Sequence, residues 1–397
     1  MIIRNNYLKK ISGFYESDLI KIITGVRRCG KSILLNQIET EIRDKSNNVI
    51  SLNFEDSEQT SHIKTCNDLI KYVLDNKSDG ICYLFFDEIQ FLNDWAIAVR
   101  TLRLKDCSIF ISGSNSKLLS GEFTKELSGR YVAFRIKTFV YRELKEYATM
   151  LNKEISIMDY IIWGGFPKRL EFNNKNDEKQ YIRDIEESIV YKDLILRYNI
   201  RRADLFYKVV NFITMSNSRI ISVRSIYNYL RSNGTECSLT TIGQYLHYLE
   251  EAFVINKIKR YSSKVKRELE YYDKYYNDDV VFNSIRQKES KYDITHNFEN
   301  IVYNELVYMG YELNVYCEKD FEVDFVALKN NKKYYIQVAY SVADEATYER
   351  EFKPFKILDN SIQKILITND DIDYSTSIVK HIKFKDFLLM NDLEEKM

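Results

Sequence analysis

The sequence predicts an α/β fold at both ends of the chain and a helical segment between them. Three features of the 397 residues indicate this architecture. In the N-terminal third, short apolar runs typical of buried strands alternate with helix-compatible runs. Between residues 181 and 198 apolar side chains recur at helical spacing, and the C-terminal part returns to strand-like runs. Only two prolines and twelve glycines interrupt the chain, which favours long helices.

The strongest motif is a phosphate-binding loop near the N-terminus. Residues 25–32 read G-x-x-x-x-G-K-S, with the apolar run 19–23 before them and a helix-compatible run after them. In this strand–loop–helix context, loop amides and the helix N-terminus bind phosphate. We expect Lys31 to reach the β- and γ-phosphates of ATP and Ser32 to bind Mg²⁺. The predicted nucleotide-binding residues are Gly25, Val26, Arg27, Arg28, Cys29, Gly30, Lys31, Ser32 and Ile33.

An acidic pair ends the next strong strand pattern. The apolar run 81–86 leads directly into Asp87 and Glu88. In a magnesium-dependent nucleotide hydrolase, the first acid binds the metal and the second deprotonates the attacking water. Two acids after a strand are also a common solvent-exposed cap, so this interpretation depends on the phosphate loop upstream. We predict Asp87 as a metal ligand and Glu88 as the catalytic base.

Two further polar segments are candidates for contact with the γ-phosphate. The strand pattern 108–111 leads to Ser114 and Asn115, either of which could contact the phosphate, and the alternative is an ordinary polar turn. Arg130 follows Gly129 and could stabilise charge that develops on the phosphate, and the alternative is a surface arginine. The predicted catalytic residues are Lys31, Glu88, Asn115 and Arg130.

Four stretches of the N-terminal part form a signature together. They are residues 25–32, Asp87-Glu88-Ile89-Gln90 with Trp95, Gly113-Ser114-Asn115-Ser116 and Leu127-Ser128-Gly129-Arg130. Through them, residues 4–145 resemble the AAA-type ATPases of bacteria and archaea that carry a C-terminal domain of unknown function. The resemblance implies an α/β P-loop core and a small helical lid, with nucleotide bound outside the carboxyl ends of the strands. We expect the core to span 1–140 and the lid 141–202.

The middle of the chain predicts a winged helix over residues 203–262. Three helical patterns precede an alternating strand pattern, and the third helix would read DNA. A basic segment follows without an intervening acid, which suits contacts with DNA phosphates. Winged helices also bind proteins and basic runs are often solvated, so a protein partner is the alternative. The basic residues are Lys257, Lys259, Arg260, Lys264, Lys266 and Arg267.

Residues 263–290 are dense in charge and tyrosine, and the resembled family has a similar Lys-Tyr-Tyr element followed by an Asp. We interpret this segment as an ordered connector and assign no chemistry to it. The connector leads into the last predicted domain, residues 291–397.

A helix pattern that contains Glu299 and strand patterns that contain Asp324 and Gln337 make the C-terminal part resemble the PD-(D/E)xK, or restriction-endonuclease-like, α/β fold. Nucleases of this kind need carboxylates for Mg²⁺ and a lysine near the attacking water. Glu299 and Asp324 match the acids, but Gln337-Val338-Ala339 stands in place of the Glu-x-Lys triplet. We predict a degenerate nuclease site of Glu299, Asp324 and Gln337 and no cleavage. Substitutes for the missing lysine would be Lys332, Lys333 or Lys364.

The composition limits the partners and the cellular compartment that we expect for this chain. The net charge is zero, so affinity for nucleic acid must come from a local patch. No run approaches the roughly 18 apolar residues of a membrane helix, and the N-terminus has no apolar signal core. The six cysteines lack the spacing of a zinc site or a disulfide framework. We expect a cytoplasmic protein with free thiols that does not associate with membranes.

The function that these features predict is ATP binding and Mg²⁺-dependent ATP hydrolysis. The nucleotide state would control an interaction of the C-terminal half with DNA. One alternative is a slow ATP-dependent signalling switch that docks a protein partner, and another is a nucleotide-gated nuclease. Oligomer formation is left open.

Overall fold

The structure is a computed structural model that describes residues 1–113, 127–261, 273–288, 291–318 and 321–396. The chain divides into two compact units. The first contains Met1–Thr138 and the short segment Glu251–Phe253, and the second contains Phe139–Glu250 and Val254–Met397.

The first unit is an α/β domain built on five parallel strands. Its sheet has the order β2-β3-β4-β1-β5. In chain order the elements are α1 (Asn5–Ser12), β1 (Ile20–Thr24), α2 (Lys31–Arg43), β2 (Val49–Asn53), α3 (Ser57–Thr60), α4 (Cys66–Asn76), β3 (Cys82–Asp87), α5 (Trp95–Arg103), β4 (Cys107–Ser112) and β5 (Tyr131–Arg135).

The central strands β1 and β4 are buried at every position, as expected for parallel strands covered on both faces. Apolar side chains from both strands, among them Ile22 and Ile109, belong to one core that also includes Leu84 and Trp95. Because the strands are parallel, the carboxyl ends of β1, β3 and β4 lie at one edge of the sheet. In sheets of this kind, ligands bind outside that edge.

The second unit begins with helices α6 (Tyr141–Met150), α7 (Ile157–Trp163) and α8 (Lys175–Ser188), and α8 continues into a π-helical segment at Ile189–Leu196. Two glycines after α7 allow very close packing. A Cβ on Gly165 would lie 1.9 Å from the carbonyl oxygen of Phe139, and one on Gly164 would lie 1.6 Å from Asp279 Oδ1. Glycine is therefore required at both positions by contacts within this unit.

The middle of the second unit combines three helices with a small antiparallel sheet of order β6-β8-β7. The sequence indicates only a connector at residues 273–277, whereas the structure makes them the central strand of this sheet. The elements are α9 (Ala203–Met215), β6 (Arg219–Ile221), α10 (Val223–Ser232), α11 (Leu239–Glu251), β7 (Ile255–Ile258) and β8 (Asp273–Asn277).

The C-terminal part is a mixed five-stranded sheet of order β13-β12-β11-β10-β9. The first three strands in sequence pair antiparallel and the last three pair in parallel. The elements are α12 (Val281–Ser284), α13 (Ile294–Met309), β9 (Glu312–Glu318), β10 (Phe321–Lys329), β11 (Lys332–Val338), α14 (Glu345–Ile357), β12 (Gln363–Thr368), β13 (Val379–Lys383) and α15 (Phe384–Phe387).

All six cysteines are free thiols. Within the ranges described above, no helix combines the length and the apolar character needed to cross a membrane.

Candidate functional site

Residues 25–30 form a tight loop between β1 and α2. Gly25 and Gly30 have φ angles of 151° and 101°, a region that glycine adopts far more readily than other residues. A Cβ on Gly25 would lie 2.3 Å from the carbonyl oxygen of Ile136 and 2.9 Å from Cys29 Sγ. The backbone of the loop therefore requires glycine at this position, and its curvature suits a phosphate.

The Lys31 ammonium rests on the carbonyls of its own loop. Its Nζ atom donates to the oxygens of Gly25 at 3.2 Å and Val26 at 3.1 Å. These neutral acceptors leave the positive charge of the buried ammonium without a counter-charge at this loop, and a phosphate would supply one. Ser32 lies exposed in the first turn of α2. The residues present therefore fit the phosphates and Mg²⁺ of a bound nucleotide.

Arg4 supports the loop from the N-terminal segment. Its buried Nη1 atom donates to the carbonyl oxygens of Cys29 at 3.2 Å and Lys137 at 3.0 Å. The Arg4 guanidinium also lies 4.5 Å from the ring centre of Tyr7, whose hydroxyl accepts a hydrogen bond from the Lys137 amide. No local sequence pattern marks Arg4 for this role, since the role depends on the tertiary approach of distant segments.

The ends of β3 and β4 bring a serine to the acidic pair. The hydroxyl of Ser112, the last residue of β4, donates to Oδ1 of Asp87, the last residue of β3. Glu88 follows with φ 51° and ψ 42°, a left-handed conformation that costs a non-glycine residue about 1 to 3 kcal/mol. Burial raises the pKa of Glu88 and the charge of Lys31 opposes this rise. The structure thus brings Lys31, Asp87 and Glu88 together at one edge of the sheet.

Gln90 contacts the predicted base directly. Its side-chain amide donates a hydrogen bond to Oε2 of Glu88. Its own Oε1 is buried and has no hydrogen-bond partner within the described ranges. Gln90 belongs to the N-terminal signature, but no local sequence pattern indicates a role for it or for Ser112. The predicted γ-phosphate contacts, Ser114 and Asn115, lie outside the described residues.

Arg130 lies at the opposite edge of the same sheet. Its carbonyl oxygen accepts a hydrogen bond of 2.9 Å from the amide of Ile20, the first residue of β1. The phosphate loop follows Thr24, the last residue of β1, which is about 13 Å farther along at roughly 3.3 Å per residue. The structure therefore does not bring Arg130 together with Lys31 and Glu88 within one chain.

In the second unit, the three residues of the predicted degenerate nuclease site do come together, around a lysine. The Lys274 Nζ atom lies 2.7 Å from Glu299 Oε1 and 3.0 Å from Asp324 Oδ1. It also lies 2.7 Å from Oε1 of Glu322. The oxygen of the Gln337 side-chain amide accepts a hydrogen bond of 3.3 Å from the backbone N–H of Asp324. Lys274 comes from β8, in the segment interpreted as a connector.

The lysines proposed from the sequence as substitutes have other partners. Lys332 pairs with Glu394 at 2.9 Å. Lys333 donates to the hydroxyl of Tyr261 at 2.8 Å. Lys364 donates to backbone carbonyls near the end of α14. In the part of the chain that the structure describes, no three His, Cys, Asp or Glu side chains form a group that could hold a metal ion.

Part of the predicted basic segment is engaged within the second unit. Lys257 pairs with Asp273 at 3.2 Å. Arg260 donates to the carbonyl oxygen of Cys317. Lys259 is exposed. The three remaining basic residues, Lys264, Lys266 and Arg267, lie outside the described residues.

Comparisons with known proteins match most of the chain. A family described as an AAA domain matches residues 17–145, and a domain of unknown function matches residues 154–284. An uncharacterized protein of Haemophilus influenzae is 34% identical over 385 residues, which are 93% of each chain. The uncharacterized protein MJ1544 of Methanocaldococcus jannaschii is 32% identical over 375 residues, which are 89% of this chain and 82% of that protein.

Among solved structures, the Walker-type ATPase PABY2304 of Pyrococcus abyssi is similar with a TM-score of 0.49 and 18% identity. The similarity covers 72% of this chain and 96% of that chain. The AAA match confirms the α/β core predicted for the N-terminal part, and the winged helix and the nuclease-like fold stay predictions.

Proposed function

Because the chain belongs to one family with its relatives from H. influenzae and M. jannaschii and carries an AAA domain, we propose that its first unit binds ATP with Mg²⁺ and hydrolyses it. The nucleotide state would control an interaction of the second unit, with DNA as the partner. The observation that carries the proposal is the geometry of the phosphate loop. Lys31 rests there on neutral carbonyls, and its charge is close enough to Glu88 to oppose the rise in the pKa of Glu88 that burial causes.

Each residue of the site has a role in this proposal. The loop amides and Lys31 would hold the phosphates, and Ser32 and Asp87 would hold Mg²⁺. The metal, when bound, neutralises charge on the phosphates. Ser112 fixes the orientation of Asp87. Glu88 takes a proton from the attacking water, and the burial that raises its pKa makes it a stronger base.

Arg130 fits this mechanism only from a neighbouring copy of the chain. Its backbone lies at the edge of the sheet away from its own phosphate loop. An arginine supplied by an adjacent molecule can stabilise charge on a transferring phosphate. We therefore propose that the ATP site is completed between two copies, with Arg130 acting in trans.

The first test compares two variants of the loop and the base. Lys31→Ala removes the charge that pairs with the phosphates, so ATP binding should be lost. Glu88→Gln keeps the shape of the site but cannot accept a proton, so ATP should bind without being hydrolysed. Binding of a fluorescent ATP analogue and release of phosphate measure the two steps. Equal rates of hydrolysis in the wild type and in Glu88→Gln would refute the assignment.

The elements from α9 to β8 support a winged helix as the DNA-binding part. Three helices are followed by an antiparallel pair of strands, and the exposed Lys259 lies directly after β7. Along α10, Arg224, Asn228 and Arg231 are exposed at positions that share one helix face. This stripe of two cations and an amide suits contacts with a phosphate backbone. The test is whether duplex DNA stimulates ATP turnover.

A specific observation also favours a protein partner. The exposed residues of α11, the helix that would read DNA, include Thr240, Gln244 and His247 but no lysine or arginine. Lys257 is already paired with an acid. If turnover is indifferent to DNA, the slow switch that docks a protein becomes the better description.

A further inference from the structure

Three carboxylates of the second unit, which form an acid cluster, surround one lysine side chain. The carboxylates of Glu299, Glu322 and Asp324 converge on the single ammonium of Lys274. A lysine ammonium has three N–H donors, and here three carboxylates lie within 3.0 Å of the nitrogen. The Lys274 side chain is 3% exposed. The carboxylates of the cluster are therefore paired with a cation that belongs to the chain itself.

The charge of this lysine is retained despite its burial. Burial alone would lower the pKa of Lys274, but Glu299, Tyr276, Asp324 and Glu322 together raise it well above its ordinary value. Burial also raises the pKa of Glu299 to about 8, against the opposing charge of Lys274. Removal of the ammonium would leave buried carboxylates facing one another without compensation, which is strongly unfavourable.

The position of the ammonium is incompatible with a metal ion at the same point. Oxygen ligands surround Mg²⁺ at about 2.0–2.1 Å and Ca²⁺ at about 2.3–2.6 Å. Any ion held jointly by the three carboxylates would occupy the space that Lys274 Nζ fills. The cations would also repel each other in a poorly solvated site.

The polar groups next to the cluster also form hydrogen bonds within the protein. The second carboxylate oxygen of Asp324, Oδ2, accepts a hydrogen bond of 2.9 Å from the Val338 amide. The side-chain amide of Gln337 donates to Glu351 Oε2 at 2.6 Å. The Tyr276 hydroxyl donates to Glu299 Oε1 at 2.6 Å. The residues therefore do not fit the Mg²⁺ that a nuclease-like fold would imply.

We propose that Lys274 is a built-in cation that takes the place of a divalent metal ion among Glu299, Glu322 and Asp324. The C-terminal sheet then serves binding and not metal-dependent cleavage. Lys274 also joins the small sheet that contains β8 to the C-terminal sheet, because its partners lie on α13 and β10. The inference concerns the second unit alone and does not depend on ATP hydrolysis by the first.

The test uses the full chain without nucleotide and Tb³⁺ as the probe. Tb³⁺ takes oxygen ligands as Ca²⁺ does, and it luminesces when an excited tyrosine such as Tyr276 lies near it. The wild type should show no more luminescence than Asp324→Asn. Lys274→Met, which keeps an apolar side chain but removes the charge and leaves the position of Nζ vacant, should gain one site and bind Tb³⁺ at least about tenfold more tightly. The double variant Lys274→Met/Asp324→Asn should lose that gain.

Lys329→Met is the matched control, since Lys329 pairs with the single carboxylate of Asp392 and its removal should create no such site. If the Lys274→Met chain does not fold, Lys274→Met/Glu299→Gln replaces it, because one uncompensated carboxylate is then removed. The proposal is wrong if the folded variant gains no site. It is also wrong if the wild type binds Tb³⁺ or cuts DNA with Mn²⁺ in a manner that Asp324→Asn abolishes.

Discussion

Gln90 donates a hydrogen bond from its side-chain amide to the carboxylate of Glu88, two residues earlier in the chain. Glu88 is the base in the proposed hydrolysis, so this bond acts on the group that must accept a proton. A hydrogen bond to a carboxylate favours its ionised form. It therefore opposes burial, which raises the pKa of Glu88.

The first prediction concerns the pH dependence of turnover. A base works only when ionised, so kcat should fall as the pH decreases through the pKa of Glu88. Gln90→Leu removes an effect that lowers this pKa, so the acid limb of the kcat profile should move to higher pH. A change of about one pKa unit would lower kcat on that limb by about tenfold. The pH profile of phosphate release measures the shift.

Gln180→Leu is the control, because the amide of Gln180 donates to Asp184 on an exposed surface of α8. Its profile should match that of the wild type. An acid limb that does not move in Gln90→Leu would show that the contact with Glu88 has no part in turnover.

The second prediction concerns Arg130. Arg130→Ala should leave ATP binding intact and lower turnover by about 10³-fold, as for other arginines that complete a phosphate site. Because we propose that Arg130 acts on a neighbouring copy, a mixture of Arg130→Ala and Lys31→Ala chains should regain activity that neither has alone. Phosphate release by the mixture measures this recovery.

Arg103→Ala is a matched control, since Arg103 pairs with Asp18 just before β1. It should retain activity. If both chains assemble but the mixture releases phosphate no faster than the two variants do separately, the action in trans is refuted.

The third prediction compares two glycines of the first unit. Gly25→Ala places a methyl group 2.3 Å from the carbonyl oxygen of Ile136, at a φ of 151°. We expect a loss of stability of about 1 to 3 kcal/mol and of nucleotide binding. Gly13 has a φ of −63° and nothing within 4 Å of an added Cβ, so Gly13→Ala should be neutral or stabilise by up to about 1 kcal/mol. Thermal unfolding measures both, and equal effects would contradict the prediction.

The fourth prediction concerns duplex DNA. Lys259→Glu should weaken binding across sequences and lower the log–log salt slope by about 0.9 for the lost phosphate contact. Fluorescence anisotropy at several salt concentrations provides the slope. Lys356→Glu is the control, since Lys356 pairs with Glu349 on α14. An unchanged slope in Lys259→Glu would favour the protein partner.

The sequence predicts the phosphate loop and the acidic pair because each is contiguous in the chain. The position of Lys31 depends only on the strand before its loop and the helix after it. The position of Glu88 depends only on the strand that it follows. Arg4 and Ser112 act through contacts with residues 25 positions away. No local pattern marks such residues, because the fold itself brings them to the site.

Arg130 and Lys274 show which positions a local sequence pattern does not determine. The Gly-Arg sequence at Arg130 suggests contact with phosphate, but the parallel pairing of β5 with β1 decides that it lies at the far edge of the sheet. The sequence offers Lys332, Lys333 and Lys364 as candidates for the missing lysine of the C-terminal site, whereas Lys274 lies well before Glu299. Its position depends on β8 being a strand, and the Asp, Lys and Asn residues of that segment obscure the strand preference of its two tyrosines.

Contacts made by β8 and by Asp279 fix the number of residues between them. Lys274 and Tyr276 both contact Glu299, as alternate residues on one face of a strand must. Farther on, Asp279 accepts a hydrogen bond from the Gly165 amide at 2.8 Å. Insertion or deletion of one residue between these contacts would exchange the two faces of the strand or pull one anchor away from its partner. Related chains should therefore vary in length elsewhere and keep the interval from Lys274 to Asp279 constant.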